Sequence, residues 1–327
     1  MRRPTLPSRL PVEPFVLLLV AMAALAFLLP ATGTAATVVE HASSVAIGLL
    51  FFLYGVRLST REALDGLTHW RLQLFIVLCT FVLFPLLGLA ARALVPHLLT
   101  EQLYTGVLFL CLVPSTIQSS IAFTSLARGN VPAAICAGTY SALLGMVLTP
   151  LLAAWLIGPQ ADFSAQGLLG IATQLLAPFA AGQLLRRRIG GFVHRHRRQL
   201  ARLDRTSILL VVYTAFSEGV DRGVFHQVTA GRLAALAGVL AALLATVLAL
   251  TMTLSRRLHF NRADRITAVF AGSKKSLANG LPMAAVLFGP QASLAILPLM
   301  LFHQLQLIVC AFIAERWAKQ APPQPGG

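Results

Sequence analysis

The chain has 327 residues, of which 57% are hydrophobic and only 11% charged, and its formal net charge is +15. A typical soluble domain is about 25% charged; a soluble fold of this length could not hide so much apolar surface, so the composition excludes one. Apolar runs of bilayer length recur along nearly the whole chain, which predicts a polytopic all-α membrane protein. The spans fall near 13–30, 40–58, 71–95, 103–127, 131–157, 165–186, 206–221, 230–254, 266–288 and 291–315. Before the first, "MRRPTLPSRL" and the apolar run after it have the pattern of a signal peptide. A retained first helix fits the topology better. Cys79, Cys111, Cys136 and Cys310 each fall singly inside apolar runs, without metal-ligand spacing or a disulfide framework.

Positive residues set the direction. Of the 26 Lys and Arg residues, 21 fall on segments that share a side with the N-terminus, and only Arg92, Arg222 and Arg232 fall opposite. The expectation is ten crossings with both termini cytoplasmic, in a bacterial inner membrane. The basic run "RRRIGGFVHRHRRQLARLDR", 186–205, then reads as the longest internal loop. It orients the bundle in the bilayer and contacts anionic headgroups; it is not a nucleic-acid site.

The better division of the chain is the short link "IGPQADFSAQG", 157–167. Five spans on each side give two halves, 13–157 and 165–318, that enter the membrane in opposite senses. Such inverted repeats bind their substrates near the midplane on interrupted helices. The fourth span of each half is interrupted: "VPSTIQSS" at 113–120 and "GSKKSLANGLP" at 272–282. Non-helical backbone at this depth is tolerated where it is buried in protein or lines a wet cavity. Discontinuities around 115–120 and 273–280, close to each other at mid-membrane, are therefore expected.

These segments, with "FFLYGVRLS" closing span two, "IAFTSLARGN" leading into span five and "LTP" late in it, resemble the bile acid:sodium symporter family. The wording "AGSKKSLANGLPMA" followed by "LPLMLFHQLQL" is most similar to the branch of solute carrier family 10 member 7 and its bacterial relatives. The resemblance implies a core domain of spans 3–5 and 8–10, a panel domain of spans 1, 2, 6 and 7, and two discontinuous helices that cross. It implies an organic anion, carried with Na+ by alternating access. By position, the sodium ligands of span four fall on Ser119 and Ser120. Those of span five fall on Ala134 and Gly138, with Thr139 and Ser141 close by; a glutamine of span three falls on Thr80, and the glutamate of span nine on Ser273. The anionic ligand is thus missing, and two ammonium groups follow it, which would repel a cation by several kcal/mol in a partly dry cavity. Sodium at Ser119, Ser120, Thr139 and Ser273 is the family expectation that these departures oppose.

Lys275 lies about nine residues into its span, ~14 Å deep at the helical rise, too deep for easy snorkelling. Intramembrane lysines are by default functional. Lys274 or Lys275 either takes the place of a coupling cation, with Na+ or H+ as the coupling ion, or meets an anionic substrate, or pairs with backbone carbonyls for structure. Ser115, Thr116, Gln118, Ser276 and Asn279 complete the candidate site on the two breaks. His303 and Gln306, at i, i+3 spacing on span ten with Gln304 beside them, are either a proton relay or a packed pair. Tyr213, Ser217 and Glu218 are candidates for the panel side of the cavity, Glu218 reading equally as an ordinary interfacial charge. Ser119, His303 and a lysine are also raw materials for hydrolysis, but no Gly-x-Ser-x-Gly, HExxH or phosphate-binding loop accompanies them. The chain reads as a secondary transporter of a small, anionic molecule, without a cofactor. The competing reading is a membrane sensor or regulator that keeps the fold without moving solute.

Overall fold

The computed structural model describes residues 14–57, 69–158, 165–223 and 229–320. Arg2, Arg3, Arg9 and Arg61 of the orientation argument lie outside these residues, as do residues 159–164 of the link between halves. The described residues form helices joined by short links, without a strand. In chain order the helices are α1 (Pro14–Leu28), α2 (Gly33–Arg57), α3 (Trp70–Leu94), α4 (Glu101–Leu112), α5 (Gln118–Leu126) and α6 (Val131–Leu156). Then follow α7 (Ala165–Arg195), α8 (Arg197–Asp221), α9 (Ala230–Arg257), α10 (Arg262–Gly272), α11 (Leu277–Phe288) and α12 (Ala292–Lys319).

Among the described residues, α2, α3, α6, α9 and α12 are each long and apolar enough to cross a membrane. Leu17, Leu86, Leu151, Trp155, Leu184 and Phe312 are exposed on the outside of the bundle, which suits a rim against lipid rather than water. The interior holds Phe84, Tyr104, Phe109, Phe270 and Phe302, all essentially inaccessible.

Two sets of helices pack mostly among themselves. Helix α2 lies along α7 and α8, and α1 lies along α8. Gly55 and Gly182 make the α2–α7 approach possible, because a Cβ on either would collide with the other helix's backbone. The second set joins α3, α4, α5 and α6 to α9, α10, α11 and α12.

One expectation is corrected. The basic segment 186–205 is not a loop: α7 continues to Arg195, α8 begins at Arg197, and His196 is the joint. Arg, Leu and Gln are good helix formers, so a segment of high charge continues the helical path. At its base Arg57 is paired with Asp204.

Candidate functional site

The two interrupted spans break over shorter stretches than the sequence suggests, 113–117 between α4 and α5 and 273–276 between α10 and α11. Ser276 explains the second early restart: its side chain accepts the Asn279 N–H and caps α11. The breaks touch directly, with Ser276 N donating to the Pro114 carbonyl at 2.8 Å.

Ending a helix inside an apolar bundle leaves its last carbonyls without donors. At α10 they are taken by hydroxyls from the other break. Ser115 Oγ donates to the Ala271 carbonyl at 2.6 Å and Ser120 Oγ to that of Phe270 at 3.0 Å. Ser273 Oγ turns back onto the Val269 carbonyl at 2.6 Å. At α4, Thr149 Oγ1 donates to Leu112 O at 2.9 Å, while the Ser115 N–H turns aside to Ser141 Oγ at 2.8 Å. That turn leaves the Cys111 carbonyl open. One face of α6 serves the whole break. A Cβ on Gly138 would meet Ile117 at 3.0 Å and one on Gly145 would meet Pro114 at 2.6 Å. These glycines alternate with Ser141 and Thr149 at helical spacing.

Lys275 fills the remaining gap. Its Nζ donates to Cys111 O and Val113 O at 2.8 Å and to Thr80 O at 2.9 Å, and lies 4.2 Å from the centre of the Phe84 ring. Three acceptors use all three protons of an ammonium. The Thr80 carbonyl is available because α3 widens to a π turn at Cys79–Leu83. In that register its helical donor would be residue 85, and Pro85 has no N–H. Two of the three acceptors belong to the end of α4, where a cation also meets the negative pole of the helix. The Lys275 backbone is clamped by Gln306, whose Oε1 accepts its N–H at 2.9 Å and whose Nε2 donates to its carbonyl at 2.8 Å. Gln306 Nε2 also meets His303 Nδ1 at 2.9 Å. That amide orientation is fixed by Lys275 N–H, so the imidazole proton sits on Nε2.

Lys274 is equally buried but differently held. Its Nζ donates to the Ser119 carbonyl at 2.8 Å and lies 3.9 Å from the Phe123 ring centre and 5.5 Å from that of Phe270. One carbonyl and two aromatic faces surround it.

The remaining candidates divide. Thr116 accepts from Ser119 Oγ at 3.3 Å, Thr139 is buried on α6, Asn279 is buried on α11, and Gln118 is exposed. The positions that the resemblance assigns to sodium already carry other bonds. The Ser120 and Ser273 hydroxyls donate to helix carbonyls, Ser119's carbonyl accepts from Lys274, and no cluster of three acidic, His or Cys ligands exists among the described residues.

Tyr213 and Ser217 have structural partners. They tie down the end of α1, Tyr213 OH donating to Leu29 O at 2.8 Å and Ser217 Oγ accepting from Ala31 N at 2.6 Å, while Glu218 pairs with Arg222 at 3.0 Å. Several contributors were not singled out from sequence. Thr149 lies in the "LTP" piece. Tyr54 OH reaches the Ala278 carbonyl at 3.4 Å, the acceptor that Pro282 leaves without a helical donor. Asn130 joins the start of α6 to α10 by donating to Asp264 at 2.7 Å. Gln304, noted beside His303 in the sequence, is a buried amide with no partner among the described residues.

Two broken helices that meet inside a helical membrane bundle are the arrangement that secondary transporters use to build their sites. Residues 13–319 match the model of the SBF-like CPA transporter family, and the chain belongs to that family. It is 52% identical to "Uncharacterized protein PA2026" of Pseudomonas aeruginosa and 47% identical to "Putative symporter YfeH" of Escherichia coli, in both cases over 94% of this chain and 93% of the relative. It is also 27% identical, over 81% of this chain and 79% of the relative, to "Sodium/bile acid cotransporter 7" of Xenopus tropicalis. The chain is a transporter and not an enzyme, and it resides in a membrane.

Proposed function

We propose that the chain moves a small organic anion by alternating access, coupled to protons, with Lys274 in the role that a bound cation has in sodium-coupled carriers. Ten crossings form two inverted halves, 13–157 and 165–318, with both termini cytoplasmic. The α1, α2, α7 and α8 set is the panel and the other helices are the core. The site is the crossing, with Ser115, Thr116, Ser119, Ser120, Ser276 and Asn279 around the lysines.

The observation that carries this reading is the unequal bonding of the two ammonium groups. Lys275 has an acceptor for each proton, so neutralising it orphans a buried carbonyl; it is the fixed cation that holds the crossing together. Lys274 has a single carbonyl acceptor. It can release a proton and keep that bond, and so can alternate between charged and neutral forms as the site opens to each side. A charged Lys274 balances the anion, and the starts of α5 and α11 add positive helix poles at the breaks.

The test is uptake by purified protein in proteoliposomes, with Na+ and pH gradients imposed separately. The probes are amphipathic organic anions, beginning with a bile salt because the vertebrate relatives are named for one. Uptake driven by a pH gradient without Na+ supports the reading. A strict Na+ requirement overturns the coupling, and no movement of any probe under either gradient favours a sensor.

A further inference from the structure

Outside the crossing, one cavity gathers positive charge. At the end of the bundle where α9 turns into α10, a pocket of about 100 Å³ is lined by Arg256, Arg262 and Arg265, with Ser255, Gln320 and Trp317. Arg262 donates to the Trp317 carbonyl at 2.8 Å, which leaves most of its guanidinium donors unspent. None of the three arginines has an acidic partner within ion-pair distance among the described residues. The nearby Asp264 is engaged by Asn130 and Asn261.

Three guanidinium groups around one cavity repel one another, and the end of α9 and the Trp317 carbonyl offset that only in part. An anion offsets the rest. A cavity of this volume admits a tetrahedral oxyanion. Guanidinium forks match phosphate oxygens in pairs. By the distribution of basic residues this end faces the cytoplasm, where anionic phospholipid headgroups concentrate.

We propose that this pocket is a binding site for a phosphate group, held by Arg256, Arg262 and Arg265, separate from the transport site. It abuts the crossing through a ring contact. Trp317 packs on Phe270 with ring centres 5.4 Å apart, and Phe270 is one of the two rings beside Lys274. The phosphate comes from a phospholipid headgroup or from a soluble phosphate, and the two sources separate experimentally.

Trp317 reports occupancy. The chain has three tryptophans, and Trp70 and Trp155 are 60% and 74% exposed, so the W70F/W155F protein folds and leaves Trp317 as the sole indole. Its fluorescence in detergent is titrated with inorganic phosphate, with phosphatidylglycerol and with phosphatidylcholine. A saturable change with phosphatidylglycerol alone supports a lipid site, and one with inorganic phosphate alone supports a soluble ligand. In either case R256Q/R265Q weakens binding about tenfold or more, whereas R257Q, an exposed arginine outside the pocket, leaves it unchanged. Undiminished affinity in R256Q/R265Q, equal loss in R257Q, or a response to phosphatidylcholine as strong as to the anionic ligands overturns the proposal. Gel filtration of each variant confirms that the fold is intact.

Discussion

Replacing each lysine by methionine separates the two roles, because the structure makes the consequences unequal. Lys275→Met removes the donor to three buried carbonyls, those of Thr80, Cys111 and Val113. Each stranded acceptor costs about 1–3 kcal/mol. Relief from burying an ammonium offsets part of this, and the net effect of breaking a buried charged network is about 3–5 kcal/mol. Lys274→Met strands one carbonyl, that of Ser119, at about 1–3 kcal/mol, with the same relief. The difference of roughly 2 kcal/mol corresponds to several degrees in melting temperature. The four cysteines are all buried, so a thiol-reactive dye reports unfolding of the detergent-solubilised protein directly. Lys275→Met is expected to melt about 3 °C below Lys274→Met, which stays closer to wild type. Equal melting temperatures, or a more stable Lys275→Met, would falsify the assignment of Lys275 as the fixed cation.

The same dye assay checks three further expectations. Gly145→Ala places a Cβ 2.6 Å from Pro114 and loses about 1–3 kcal/mol, whereas Gly238→Ala, with nothing within 4 Å, gains up to about 1 kcal/mol; destabilisation of both alike contradicts the packing of α6 on the break. Thr149→Val strands the Leu112 carbonyl and costs about 1–3 kcal/mol, and a neutral result shows that water or another donor replaces the hydroxyl. Thr80→Val keeps the carbonyl that Lys275 uses and loses only the bond from Oγ1 to Ile76 O, about 1 kcal/mol. Its uptake stays near wild type, so abolished uptake means that the hydroxyl itself is functional.

The breaks were legible because Pro114, Gly272 and Gly280 interrupt apolar runs amid hydroxyls, a pattern that needs no tertiary information. Lys274 and Lys275 were legible as buried charges by depth alone. What they bind was not, since their acceptors are backbone carbonyls, which carry no side-chain signature. Thr80 illustrates this: its hydroxyl draws the eye, yet its contribution is the carbonyl that the π turn and Pro85 expose. The extent of the breaks was overestimated because small polar residues fit a helix start as well as a loop, and only the cap at Ser276 decides. The 186–205 segment was misread because charge marks the way out of the bilayer and says nothing about whether the helix continues. Tyr213 and Ser217 look like cavity residues by type, but their partners at Leu29 and Ala31 lie on a distant stretch of chain that periodicity does not locate.

The account rests on Lys274 as the group that carries the coupling proton. Its most direct test is pH-gradient-driven anion uptake by Lys274→Met and wild-type protein in the same Na+-free proteoliposomes, with a large inert cation replacing Na+. Wild type takes up the anion and acidifies the lumen, reported by an enclosed pH dye, while folded Lys274→Met does neither. Normal uptake and proton movement by Lys274→Met, or wild-type uptake that collapses when Na+ is withdrawn, would contradict it.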